Sequence, residues 1–412
     1  LADLPLTAPI SAAMSAQPLI LEEHATAYDA MLAMATHGIR HVPVTDAEGR
    51  LAGIVTERDL FALQRVALRQ IRQSIETAED VAALKQAAAD VRQLSFNMLA
   101  QGIGAEQLTQ FISALNDALT RRVIQLALDQ HDFAGVDWAW LAFGSEGRDE
   151  QTFSTDQDNG IVFTCPDAAE IKALRKRFLA FALEVNKDLD RCGFPLCKGN
   201  IMASNPQWCL TLEEWKNQFS KWVRSPEPVA LLNASIFFDF RALFGKAELA
   251  EEMRRFLLKA TGGNSLFLQA MARNALSVAP PLGTLRDFIT DLDPGNPGKI
   301  DLKKYGSRIF VDVARIYALA TGVHNTNSVQ RLRIASKRLA IRDEEVNAVL
   351  DGLDFIQLLR LRHQYLENKP GVQGDNLIDP GDLNELDRRV LKESFRQARK
   401  LQTRLKLDYQ VH

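Results

Sequence analysis

The chain has 412 residues, 46% hydrophobic and 25% charged, which is enough for two to four cores at about 100–200 residues per domain. Its 49 Lys and Arg against 52 Asp and Glu leave a net charge of −3, which argues against bulk nucleic acid as a partner, because such binders gather positive charge. Four cysteines without metal spacing exclude a disulfide scaffold, and no apolar run reaches the roughly 20 residues of a membrane span, so a cytoplasmic location and no membrane partner are expected.

Residues 1–64 have an α/β rhythm. Glu22–Thr36 carries Ala27, Ala30, Met31 and Met34 at helical spacing, and Gly38 ends the run. HVPVTD and LAGIVTERDL read as two short strands around a polar Asp46–Gly49 turn, the second flowing into a helix. About sixty residues bury too little surface to be comfortable alone, so this unit is expected to pack against a copy of itself. The order resembles a cystathionine-β-synthase (CBS) domain, through Gly38-Ile39-Arg40-His41-Val42-Pro43-Val44 and Gly53-Ile54-Val55-Thr56-Glu57-Arg58-Asp59. CBS modules occur in tandem pairs that bind adenine nucleotides, and the resemblance implies that Thr56 and Asp59 hold the ribose. It also implies a homodimer through CBS units. Helix-start chemistry gives a second account, with Thr56 as N-cap and Asp59 in the first turn. The start at Leu1 rather than Met adds the expectation that a first CBS module, and a cyclic-nucleotide domain before it, stood upstream.

Residues 65–132 repeat apolar positions at i, i+3 and i+4 and read as a helical linker, a hairpin or small bundle with a mechanical role. The chemistry concentrates in Trp138–Phe163, WAWLAFGSEGRDEQTFSTDQDNGIVF. Trp138–Phe143 reads as a buried strand, Gly144-Ser145-Glu146-Gly147-Arg148 as a turn, and Asp156-Gln157-Asp158 opens a second apolar run. In a strand, Asp156 and Asp158 share one face, where two carboxylates repel unless a cation sits between them. A divalent cation with oxygen ligands, Mg²⁺ or Mn²⁺, suits that pair. Gly144, Ser145 and Arg148 would grip phosphate oxygens.

Other readings of the segment fit less well. A calcium loop wants Gly and Glu where Ile161 and Asp167 stand, and a serine elbow wants GxSxG. An Asn159-Gly160 hairpin turn leaves the Gly-Ser and the paired aspartates unexplained.

Gly-Ser, a spacer of about ten residues and Asp-x-Asp resemble the active-site signature of polymerase-β-like nucleotidyltransferases. More narrowly, GSEGRDEQTFSTDQDN resembles a bacterial family of nucleotidyltransferases attached to CBS modules, related to the PII uridylyltransferases and glutamine-synthetase adenylyltransferases. The implied fold is α+β and multidomain: a CBS unit (1–64), the helical linker (65–132), a mixed-sheet transferase core (133–245) and an all-α C-terminal bundle (246–412). Gln157 replaces the apolar residue that the wider superfamily often has between its aspartates. The resemblance also implies a third carboxylate on a later strand. Asp239, closing the β-like run Asn233–Phe238, is the candidate metal ligand and general base. The alternative is a surface pair with Arg241. Lys198 and Asn200, by the same resemblance, are candidates for nucleotide or acceptor contact, against a loop whose Lys points to water.

Cys192, Cys197 and Cys209 read as buried free thiols, and Arg331, Arg333, Lys337, Arg338 and Arg342 as a solvated helix face. Lys303-Lys304-Tyr305-Gly306 through Asp312 loosely resembles a lysine- and glycine-containing segment of the uridylyltransferases, without implying a role for any residue. The implied mechanism is metal-assisted transfer of NMP from an NTP to an acceptor, a regulatory protein by the relatives' example. Two Mg²⁺ ions would be held by Asp156, Asp158 and Asp239, with adenine nucleotide at the CBS unit as control. The second reading is a catalytically silent nucleotide sensor. Transfer to tRNA or poly(A) sits badly with the −3 charge.

Overall fold

The computed structural model describes the chain except residues 1–6, 10, 12–13, 15–16, 26–28, 31–32, 35–36, 284–287, 291–294, 368–373 and 412, and except the side chains of residues 57 and 60–67. It forms two compact units, residues 1–73 and 74–412.

The first unit holds a three-stranded sheet in the order β1 (Leu21–Glu22), β2 (His41–Thr45), β3 (Leu51–Thr56). β1 is parallel to β2, and β2 and β3 form the expected hairpin. Asp46 closes its turn by accepting from the Glu48 and Arg50 amides. Val42 packs on Ala30 and Met34. The helical reading from Glu22 starts too early: Glu22 is in β1, while Asp29, Ala30, Ala33 and Met34 are helical. Ala27 and Met31 lie outside the described residues. Helix α1 (Glu57–Thr77) follows β3 directly.

The second unit begins with α2 (Val81–Ala100) and α3 (Ala105–Leu128), which pack on each other as the sequence predicts. Asp80 caps α2 by accepting from the Ala83 amide. Next come β4 (Trp138–Ala142), the single-turn α4 (Gly144–Gly147) and β5 (Asn159–Phe163). With β6 (Cys209–Thr211) and β7 (Arg241–Gly245) they make a mixed sheet in the order β6-β5-β4-β7. Alternate residues of β4 serve opposite faces. Trp138 and Trp140 meet Phe178 and Phe181 of α5 (Ile171–Arg191), with ring centroids 5.5–6.2 Å apart. Ala139, Leu141 and Phe143 enter a core with α6 (Leu212–Arg224), α7 (Pro228–Phe237) and α8 (Ala247–Thr261).

That core continues without a break through α9 (Ser265–Ala275), α10 (Arg308–Thr321), α11 (Ser328–Arg338), α12 (Asp343–Leu366) and α13 (Glu385–Asp408) to Val411. β8 (Ile300–Asp301) and β9 (Leu377–Ile378) make a small ribbon beside it. The β-like reading of Asn233–Phe238 is corrected: α7 extends through Phe237, because Pro228 starts it and Ala230, Leu231, Ala234 and Phe237 bury one helical face.

Candidate active site

β5 starts at Asn159, so Asp156 and Asp158 lie in the extended segment that feeds it rather than in the strand. The alternation holds there all the same. Gln157 is buried and turns away, donating to the Asn186 and Phe194 carbonyls while accepting from the Asn186 amide. Its amide and carbonyl pin the segment between the aspartates, a task that an apolar residue there could not perform. Asp156, Asp158 and Cys197 offer ligand atoms all within 4.8 Å of one another. Burial, and next the neighbouring Asp156 carboxylate, push Asp158 up to about 6. Its partner is the Cys197 thiol, 3.4 Å from Oδ1, which burial keeps protonated. Two close carboxylates whose charge is poorly compensated fit a hard divalent cation, and the residues to hold it are Asp156 and Asp158.

The glycines of Gly144–Gly147 serve the protein itself. Gly144 has φ +56°, and a Cβ there would sit 3.0 Å from Asp158 Oδ2. At Gly147 a Cβ would lie 2.1 Å from the Asp239 carbonyl oxygen. The tight approaches at these two glycines are thus made by Asp158 and by the chain at Asp239. Ser145 and Arg148 face a cavity of about 420 Å³ together with Asp156 and Asp158. Within the same turn, Glu146 is pushed up to about 8 by burial and by the charge of Asp117.

Asp239 does not join the pair. Its fully buried carboxylate accepts from Arg148 (2.8 Å), from Arg315 (2.6 and 3.0 Å) and from Arg331 (2.5 Å). Burial would raise its pKa, but Arg315, Arg331 and Arg148 outweigh burial and hold it far below the usual carboxylate range. The expected metal ligand and base is a counter-ion, enclosed because three guanidiniums need a charge to face. Nor does it pair with Arg241, which grips Asp117 through two 2.7 Å bonds. Arg331, expected on a solvated face, is buried by this cluster; Arg333, Lys337, Arg338 and Arg342 are exposed as predicted.

A second, mostly basic wall of the cavity, which also holds Asp301 and Asp312, comes from far along the chain. Lys303, Arg308 and Arg315 line it, as does Arg360, which is buried against Ser307, Gln357 and Asn376. Burial pulls Arg360 down to about 10. Lys303 acts electrostatically on Asp158. A pair of acids facing a basic wall suits a metal-bound polyphosphate.

Three family models match parts of the chain. Residues 89–229 match "Putative nucleotidyltransferase DUF294", and residues 265–409 match "Putative nucleotidyltransferase substrate binding domain". Residues 10–65 match the CBS domain. The chain belongs to this CBS-linked, nucleotidyltransferase-like family. No curated protein matches it.

In this family member the aspartate pair and the glycine turn lie in the transferase-like domain, and the basic wall lies in the substrate-binding domain. The structure brings Gly144, Ser145, Arg148, Asp156 and Asp158 together around one cavity. Lys198 is exposed and lines neither this cavity nor its neighbours among those described, while Asn200 faces a separate cavity of about 480 Å³ beside Leu183. From that segment it is Cys197 and Ile201 that reach the aspartates. Lys303, Arg308, Arg315 and Arg360 are not among the site residues expected from the sequence, although Lys303 and Arg308 fall in the segment that loosely resembles the uridylyltransferases. In the CBS domain Thr56 and Asp59 bond each other, Oγ1 to Oδ2 at 2.7 Å with reciprocal amide bonds, as a helix cap requires. No described helix is long and apolar enough to cross a membrane.

Proposed function

We propose that the protein is a divalent-metal-dependent nucleotidyltransferase that moves NMP from an NTP to an acceptor, a regulatory protein hydroxyl by the relatives' example. The observation that carries this reading is the Asp156–Asp158 pair facing Lys303, Arg308 and Arg360 across one cavity. Asp156 and Asp158 hold the cation, Mg²⁺ or Mn²⁺, which when bound polarises the phosphoryl group and neutralises developing charge. Ser145, Arg148 and Lys303 take the triphosphate oxygens. Asp239 acts at one remove: it keeps Arg148 and Arg315 charged and aimed, and it takes no proton near neutrality. The CBS domain, through Thr56 and Asp59, binds adenine nucleotide as the controlling signal, and CBS units join two cytoplasmic copies as a dimer.

The test is transfer of label from α-labelled NTP to protein acceptors with and without divalent metal. Transfer should require metal and fall at least about 100-fold in Asp156→Asn or Asp158→Asn, in the range of lost charge stabilisation at such sites. Metal-independent labelling, or variants that label normally, would end the assignment.

One observation favours a second reading, that of a silent nucleotide sensor. Among the described residues no third carboxylate joins the pair within ligand distance; Cys197 does. Calorimetry with ATP, AMP and Mg²⁺ against a pyrophosphate-release assay separates the two, since a sensor binds without release.

A further inference from the structure

A second cavity, of about 1080 Å³, opens between α2, α3 and the segment after α5. Alanines 82, 88 and 89 of α2 leave the space, and Arg92, from the same helix, faces it. Arg92 is partly buried and has no hydrogen-bond or ion-pair partner among the described residues. Burial alone pulls its pKa down. A guanidinium taken from water with nothing opposite is costly, and an anion would relieve that cost. Lys85 adds a second cation to the wall. The acid on the wall, Asp190, is exposed, and the neighbouring Arg191 is engaged by Asp188 at 2.8 Å. Apolar surface from Ile112, Phe153 and Phe194 lies beside the cations. Asn116 spends its amide on Gln151, leaving its side-chain oxygen to accept.

The back wall is shared with the aspartate cavity. Ser154, Asp156 and Asp158 line the aspartate side, Phe153 and Thr155 line the Arg92 side, and Thr152 lines both. Moreover, Gln157, between the two aspartates, donates its amide to the Pro195 carbonyl (3.2 Å) and its side chain to the Phe194 carbonyl (2.8 Å). Phe194 and Pro195 line the Arg92 cavity.

We infer that the Arg92 cavity is an effector site for a phosphorylated small molecule of nucleotide size, whose binding shifts the Thr152–Asp158 segment and so resets cation affinity at Asp156 and Asp158. Volume, cationic wall and apolar surface fit a nucleotide, with its phosphate on Arg92 and Lys85. The coupling is mechanical and local, one short segment with a ligand on each side. It depends on binding alone and stands whether or not transfer occurs.

The full chain, Asp156→Asn and Arg92→Met are titrated to millimolar ATP, AMP and inorganic pyrophosphate in EDTA, and hydrogen exchange is read over residues 82–95 and 190–195. At least one probe should slow exchange there severalfold in the full chain and in Asp156→Asn, and not in Arg92→Met. Without ligand, Arg92→Met should melt at or above the parent temperature, because it removes an uncompensated charge and keeps the volume. No slowing with any probe, slowing that survives Arg92→Met, or a melting point several degrees lower for that variant would each overturn the site. The coupling is read as Mn²⁺ affinity with and without the effective probe. A change of threefold or more is expected, and an unchanged affinity refutes it.

Discussion

At the scale of single residues, the charge on Asp158 is the most consequential. Its pKa of about 6 stands above the ordinary aspartate value near 3.9, so between those pH values the folded chain binds more protons than the unfolded one. Stability from this group therefore falls as pH rises from about 4 to about 6, and the cost above that pH is on the order of 3 kcal/mol. Asp158→Asn should raise the melting temperature at pH 8 without metal and leave it nearly unchanged at pH 3, below both pKa values. Saturating Mg²⁺ should erase the gain, because it stabilises only the parent. Differential scanning fluorimetry at both pH values checks this. Gly147→Ala should cost about 1–3 kcal/mol or more in urea unfolding, since its Cβ would meet the Asp239 carbonyl. The aspartate pair was legible in the sequence because i and i+2 alternation and charge repulsion are local facts. Cys197 was not, because a thiol gives no sign of which carboxylate its loop will reach.

Among the elements, the segment from Thr152 to Asp158 and the end of α7 decide the site. The sequence reading placed both aspartates in a strand. The structure keeps their alternation while freeing them from the ladder, so that Gln157 rather than a neighbouring strand fixes their direction. The run Asn233–Phe238 misled because Ile and two Phe read equally as strand or buried helix; Pro228 upstream was the arbiter. Ending α7 at Phe237 delivers Asp239 to Arg148, Arg315 and Arg331. Asp239→Asn should destabilise the chain by about 3–5 kcal/mol, the range for breaking a buried ion pair from one side. It should also weaken nucleotide binding through a slackened Arg148. Chemical denaturation and calorimetry measure the two losses, and a variant of unchanged stability would show the cage to be dispensable.

At the scale of the molecule, the hydrophobic core runs from β4 to Val411. The two family matches at 89–229 and 265–409 therefore share one interior. Residues 74–412 should unfold in a single calorimetric transition whose van't Hoff and calorimetric enthalpies agree. Two resolved transitions would contradict a shared core. The succession of segments was legible because strand and helix periods change along the chain. The union of the last two was hidden, because no local pattern tells which distant helix will supply the cover, and the basic wall of the cavity stayed hidden with it.

The four charges of the Asp239 cluster, Asp239 itself with Arg148, Arg315 and Arg331, bear on descent and on engineering alike. Two of them stand before α8 and two beyond residue 300, so neither half of the unit can vary alone without stranding a charge in the interior. Relatives should keep or lose Asp239, Arg148, Arg315 and Arg331 together, and a chimera that grafts a foreign C-terminal half onto this sheet will fold only if that half brings its two arginines with it.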